Sequence, residues 1–456
     1  MRAHFLADAC WAAALASLPL VGVGVGALIT GRDLGAGFQP SYLLAAAAWL
    51  CRLVADAGGT YRTVRDGWSI PGARLVWLIL AAGLAALLIS GLGLHLAPAP
   101  VMGHEAGPRF LKQLIQVLIM VAFALYAWLW TRGERRWRIT TLSLAVGLVM
   151  QLAYAPLQGW FASGPGAWLA PIDHLATSNP AILSGSSWLY LGEYLAVPRL
   201  RGTMCEPLYL GSYLLMVLPL MLVARRRWLA LAGLVLLGAT WSRGAWLAAG
   251  IAAVAWMVLG RRAGLESVSR RWWWGLGGAL VATCLVVALV AGADSLLLPW
   301  RRVLQTLDGS DWSNLTRYHS LKAAWRAFLI SPVVGVGWGQ FAYHFYAQVD
   351  LSGLQSQFTW PVVNSVPLLV LCETGLLGLT VLLATLGLAW RTTWRSLRTA
   401  APDGARRVAM SAAAVGVGAQ LLVFSQYNLP HLWVLAGLWL AAHIPAGVVP
   451  SAEEDA

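Results

Sequence analysis

Residues 73–96 read ARLVWLILAAGLAALLISGLGLHL, and from Leu75 to Leu94 no side chain carries a charge. A helix needs about 20 consecutive apolar residues to cross the hydrocarbon of a bilayer. The stretch therefore predicts a transmembrane helix. Eleven further apolar runs flank it, at 8–30, 41–55, 110–130, 139–155, 206–224, 228–241, 244–260, 272–293, 362–389, 406–426 and 430–448. Met1 to Gly22 has features of a secretory signal, with one Arg and small residues near Ala14 and Ala16. Its apolar run continues to Thr30, which favours an uncleaved first span.

Over the whole chain of 456 residues, 59% are hydrophobic and 11% charged, whereas soluble domains average about 25% charged residues. That balance excludes a soluble globular protein and a disordered one, and the 47 glycines follow no three-residue period, which excludes a collagen-like fibre. The expectation is an all-α polytopic membrane protein, a single integral membrane domain over residues 1–456 with about twelve transmembrane helices. The five cysteines, Cys10, Cys51, Cys205, Cys284 and Cys372, form no C-x-x-C pair and indicate neither a zinc site nor a disulfide framework.

The net charge of +13 is first a topology signal. With the N-terminus inside, 21 of the 32 basic residues fall on cytoplasmic segments, in the clusters at 52–74, 132–138, 225–227, 261–271 and 391–407 together with Arg2. The bias predicts cytoplasmic N- and C-termini, and it accounts for most of the charge without a nucleic-acid partner. Eleven basic residues remain outside, among them Arg109, Arg199, Arg201, Arg243, Arg317 and Arg326. Two long loops fall on that outer side, 156–205 and 294–361. The first is rich in Gly, Pro, Ser and aromatics; in the second, Leu321, Ala324, Trp325, Phe328 and Leu329 recur at helical spacing, predicting an amphipathic helix over 315–330 that Pro332 ends.

Chemistry is sought among the outer polar residues. Arg243, in WSRGAW, sits between two apolar runs on the face where positive-inside logic does not call for it, and its forked guanidinium suits phosphate oxygens. Arg201 and Glu206 lie in RLRGTMCEPLYLG, where Glu206 stands at the head of the sixth span and suits either a capping or a catalytic role. Arg317 opens the amphipathic helix against the helix dipole. A general base offered by the second loop would come from His319, His344, Asp308, Asp311 or Asp350. GVGWG at 335–339 fits neither phosphate-loop pattern and reads as a turn back towards the membrane. Glu373, inside the tenth span, is either functional or a bridge between helices. No cluster has metal-ligand spacing, so no metal and no cofactor is expected.

Three motifs, RLRGTMCEP at 199–207, SRG at 242–244 and the stretch from Arg317 through SPVVGVGWGQF to NSVPLLVLCETGLLGL, resemble in order and spacing the O-antigen ligase and O-antigen polymerase superfamily of integral membrane glycosyltransferases. The resemblance implies transfer of a glycan from an undecaprenyl-pyrophosphate donor at the periplasmic face of the bacterial inner membrane, on a GT-C type scaffold. It matches Arg243 and Arg317 to the arginines that hold the pyrophosphate, with Arg201 beside them; either His319, Glu206 or Asp311 takes the base role, or the pyrophosphate is a good enough leaving group that no strong base is needed. Ligases of the family carry a His-Asn pair nine residues ahead of E-T-G; here Asn364 and Ser365 stand there, and Asn cannot serve as a base. This leans the reading towards polymerisation of O-antigen or exopolysaccharide repeats, with Asn364 and Glu373 supporting the acceptor or the scaffold and a chain-length regulator as an implied partner. A ligase acting on the lipid A core is the alternative. A flippase or secondary transporter is the reading from another class, set against the lopsided layout of the loops.

Overall fold

A computed structural model describes residues 2–23, 39–55, 71–101, 103–131, 133–162, 199–265, 297–304, 312–349, 360–398 and 403–444, with a few isolated positions between them. Among these residues there is no strand, and the chain is helical: α1 (Arg2–Ala16), α2 (Pro40–Ala55), α3 (Pro71–Ser90, extended by a 3-10 turn Gly91–Leu96), α4 (Ala106–Trp130), α5 (Gly133–Ala162), α6 (Pro207–Val223), α7 (Arg227–Ala239), α8 (Arg243–Arg262), α9 (Leu298–Leu304), α10 (Trp312–Ile330), α11 (Phe341–Val349), α12 (Val366–Ser396), α13 (Gly404–Gln420) and α14 (Pro430–His443). Five of them, α3 with its extension, α4, α5, α8 and α12, are long and apolar enough to cross a membrane, and α1, α2, α6 and α7 are shorter apolar helices.

The twelve expected runs are thereby sharpened. The first is not one continuous helix to Thr30: α1 ends at Ala16, where Ser17 Oγ turns back onto Ala14 O and Pro19 follows. The fifth is longer than read, carrying its helix through Pro156 to Ala162, so the first loop starts later than residue 156. Most of 272–293, most of 163–198 and Asp308, Asp311 and Asp350 lie outside the described residues. The helix expected in the second loop is α10, which starts at Trp312 and ends at Ile330 just before Pro332, but the expected apolar stripe is not its buried face: Ala324 and Phe328 are buried with Ser320, Ala323 and Ala327, while Leu321, Trp325 and Leu329 are exposed.

The centre of the bundle is α6, buried on every side from Leu210 to Met221, as a helix apolar all round must be. Its partners approach through small residues. A Cβ on Gly211 would stand 2.5 Å from Ala245 Cβ of α8, and one on Gly416 of α13 would stand 2.7 Å from Ala252 Cβ. Close backbone approach of this kind suits a lipid setting, where dispersion and hydrogen bonds replace the hydrophobic drive between helices. The outer surfaces carry exposed Leu43, Leu78, Leu88, Ile115, Val254 and Leu386, side chains whose exposure is uncostly only against lipid.

At one end of the bundle the arginine clusters knit the helix ends together. Arg406 bridges to Glu134 at 2.8 Å, Arg262 lies 3.8 Å over the Trp394 ring, and Arg407 donates to Ser396 O and Ala442 O. The N-termini of α4, α6, α8 and α12 gather at the opposite end, and there the motif residues meet.

α12 is not a single rod. At Gly375 the backbone turns to φ 64, ψ −163, a conformation reserved for glycine, and the loop that follows α10 fills the break. Leu376 and Leu377 amides donate to Pro332 and Val333 carbonyls, while Val336 and Gly337 amides donate to Cys372 and Glu373 carbonyls. In hydrocarbon an unpaired peptide group costs several kcal/mol, so a break is tolerated only where other protein groups satisfy it. The GVGWG segment is the part that does so. Gly335 (φ 77) and Gly337 (φ 105) give it the left-handed turns it needs.

Candidate functional site

The WSRGAW turn is held in an unusual conformation. Trp241 has φ 51, rare for a bulky residue, and it is buried with its ring 5.6 Å from that of Trp246. Ser242 then caps α8, its Oγ accepting the Ala245 amide at 3.4 Å, while Thr240 Oγ1 accepts the Ser242 amide. This geometry places Arg243 at the first position of α8, half-buried, where the peptide amides and the guanidinium both favour an anion.

Arg243 Nη2 donates to Asn314 Oδ1 at 3.3 Å. Asn314 lies in the first turn of α10, and Arg317 follows it three residues later on the same helical face. Two arginines from motifs more than seventy residues apart are thus brought to one patch. Glu206, the residue before α6, makes no capping hydrogen bond, and its carboxyl lies within the electrostatic reach of Arg199 and Arg317. Burial raises its pKa above the ordinary 4.5, and the two arginines pull it back down. Arg199 joins the patch from the other side: its Nε donates to Thr240 O at 3.4 Å and the next amide, of Leu200, to Ala239 O, tying the segment before Glu206 to the turn before Arg243.

Arg201 is placed differently. Its side chain is buried at 1% exposure and its Nη1 donates to Gly202 O and Met204 O, both at 3.1 Å, so it braces its own loop. Two glutamines two turns apart on one face of α5 hold the same loop from behind. Gln158 Oε1 accepts the Arg201 and Gly202 amides, and Gln151 accepts the Thr203 amide and donates to Thr203 Oγ1. Gly202 at φ 61 has no room for a Cβ against Gln151.

His319 is exposed on α10 with its ring edge-on to Tyr318. Two residues beyond Arg317 on a helix it faces roughly 200° away from it. His344, on α11, is buried, and burial lowers its pKa to about 4. Asn364 lies one turn beyond Arg317 along α10, its amide donating to Ser320 Oγ while Ser320 Oγ donates to Val362 O at 2.7 Å. Glu373 is buried in α12, its two carboxylate oxygens accepting the Gly339 and Phe341 amides at 2.8 and 2.9 Å. It locks the glycine loop to the helix and heads α11.

Sequence reasoning did not single out Asn314, Gln151, Gln158 or Ser320. For the glutamines a signal existed, since Gln151 and Gln158 are amides at seven-residue spacing at the end of an apolar run. Asn314 and Ser320 sit among other polar residues and carry no such mark. Among the described residues no group of three His, Cys, Asp or Glu is gathered as a metal site.

Comparison with known families matches residues 228–383 to a model described as O-antigen ligase. The matched region holds Arg243, Asn314, Arg317, Asn364 and Glu373; Arg199, Arg201 and Glu206 precede it. The match covers about a third of the chain and points to the same superfamily that the motifs resemble. No curated protein matches the chain significantly.

Proposed function

We propose that this protein acts as the O-antigen ligase and polymerase superfamily does, transferring a glycan from an undecaprenyl-pyrophosphate donor to an acceptor sugar at the periplasmic face, without a metal, and that it polymerises repeat units. The observation that carries the reading is the Arg243 to Asn314 contact, which joins the α8 arginine to the α10 helix bearing Arg317.

In the reaction an acceptor hydroxyl oxygen bonds to the anomeric carbon of the donor. The bond from that carbon to the phosphate oxygen breaks, its electron pair leaving with the lipid pyrophosphate. The leaving group gains a negative charge as this happens, and Arg243 and Arg317, fixed at its side, stabilise that charge more than they stabilise the donor. Glu206 is the carboxylate of the patch and receives the hydroxyl's proton. A pKa raised from 4.5 makes it a better proton acceptor than an exposed glutamate. Arg199 keeps it in place, and Arg201 keeps the loop that presents both.

Polymerisation is favoured over ligation because Asn364 and Ser365 stand where the family's ligases carry their His-Asn pair. Ligation to the lipid A core is the second reading, favoured by the description of the matched family. The transporter reading loses ground at α12. Transporters use helix breaks to leave helix ends open to substrate or ions, whereas here the amides and carbonyls beside Gly375 are taken by residues 332–337.

The test is reconstitution of purified protein with a synthetic undecaprenyl-pyrophosphate repeat as sole substrate. Polymer of increasing length with release of undecaprenyl pyrophosphate is expected. Product formed only when a core glycolipid is added would replace polymerase by ligase, and no product with either acceptor would remove the glycosyl-transfer reading.

A further inference from the structure

A second arginine at the same end of the bundle has no task in that chemistry. Arg109 lies in the first turn of α4, half-buried, and its guanidinium stands 4.3 Å over the ring of Trp360. Its Nε is buried, and among the described residues nothing accepts a hydrogen bond from it. Among the described residues no carboxylate pairs with it at contact distance. Glu373 lies within its electrostatic reach, but both Glu373 oxygens are committed to the Gly339 and Phe341 amides, and Glu105 is exposed.

Aromatic rings complete the surroundings. Trp360 meets the rings of His104 and Tyr343 edge-on, at 5.8 and 5.9 Å, and the Tyr343 hydroxyl donates to His104 O. Gln340, wholly buried, donates through Nε2 to Ala106 O at the head of α4 and leaves its Oε1 without a donor. A guanidinium whose buried Nε lacks an acceptor, an aromatic wall and a buried amide oxygen without a donor are groups that, paired by a ligand, recognise a phosphorylated sugar: the guanidinium takes phosphate, the rings take the apolar face of a pyranose, the amide oxygen takes a hydroxyl.

The place also fits. Trp360 belongs to the extended segment WPVVN, whose other end is tied at Val362 and Asn364 to Ser320, one turn beyond Arg317. Four residues of extended chain span at most roughly 14 Å, so the Arg109–Trp360 pair and the Arg317 end of the donor patch stand at the two ends of one short strap.

We propose that Arg109, Trp360, Tyr343 and Gln340 form a second subsite, which holds the phosphate-bearing acceptor glycolipid while Arg243 and Arg317 hold the donor. The inference rests on the transfer reading above and adds to it where the acceptor is held. Two sources offer the same chemistry, a second lipid-pyrophosphate repeat and a phosphorylated core lipid, and each acceptor is therefore a separate arm of the test.

Full-length protein in nanodiscs is assayed with either acceptor and with a phosphate-free version of each. Arg109→Ala should raise KM for the phosphorylated acceptor roughly ten- to a hundredfold, the cost of losing hydrogen bonds to a charged group. KM for the donor, read with the phosphate-free acceptor saturating so that the donor does not serve as its own acceptor, and KM for the phosphate-free acceptor itself should not change. The acceptor arm that responds identifies the source. Arg109→Lys keeps a positive charge near Glu373 for folding and loses the fork; it should keep the wild-type melting midpoint and raise the same KM several-fold. An unchanged acceptor KM in both variants overturns the subsite, as does an equal rise for donor and acceptor with a lowered midpoint, which would mark Arg109 as a counter-charge for Glu373 only. Wild-type protein that transfers to neither acceptor defeats the underlying reading instead, so the two failures are told apart.

Discussion

Arg243 and Arg317 are the side chains whose removal should cost most. Donors fixed near a developing charge in a site with little water contribute about a hundred- to a thousandfold in rate each. Arg243→Ala and Arg317→Ala are therefore expected to lose transfer by that factor while staying monodisperse in detergent, and Arg326→Ala, an exposed neighbour on α10, to keep it. Lysine should rescue poorly, because one ammonium does not reproduce a forked contact. Product formation from a synthetic donor measures all three, and near wild-type rates for both alanine variants would remove the donor site from these residues. Glu206 makes a prediction in pH. Its folded-state pKa lies above the unfolded 4.5, so folded protein retains a proton that the unfolded chain has lost, and stability falls as pH rises from 4.5 through the raised value. Glu206→Gln should flatten that slope in a series of melting midpoints, and it should abolish the acid limb of the rate profile if the carboxylate takes the hydroxyl's proton. His344 slopes the other way. Held neutral with a pKa of about 4, it withdraws stability as pH falls from 6.5 towards 4, and His344→Gln should lessen that loss.

Among the elements, α12 and the loop ahead of it form one interlocked unit, and its glycines are the residues least able to change. Gly375→Ala puts a side chain where φ is 64 and Val333 O is already in contact, and Gly335→Ala drives a methyl into the Glu373 backbone. Strain of this kind costs about 1–3 kcal/mol for the backbone alone, and the clash adds to it, so both variants should lower the melting midpoint sharply, while Gly387→Ala, on the same helix with open space around it, should not. Helices were legible in the sequence wherever an apolar run was long, because burial of peptide groups in lipid demands helix whatever the side chains are. What the runs could not convey was the break. Gly375 looks like any glycine in a membrane helix, and its meaning depends on Pro332 to Gly337, some forty residues away. The site divides along the same line. Arg243 and Arg317 stand out because they defy the topology rule. Asn314, which joins them, and Arg201, whose guanidinium turns inward on its own loop, have roles set by tertiary contacts that no local pattern encodes.

For the whole molecule, the distribution of charge makes the orientation testable. Arg225–Arg227 and the cluster from Arg391 to Arg407 should face the cytoplasm, with α10 and α11 on the outer side. In a cysteine-free background, an impermeant maleimide applied to intact cells should label a cysteine at position 322 and spare one at 226; the reverse would move the site to the wrong side for a periplasmic donor. The interlock also bears on how the protein is made. Each half of α12 ends at Gly375 with peptide groups that only the preceding loop can satisfy, so neither half is a finished span by itself. A translocon that handed helices to the bilayer one at a time would be releasing an incomplete one. Integration is therefore expected to involve α10, its loop and α12 together, so that the unit handed to the bilayer here is a pair of segments and the turn that closes them.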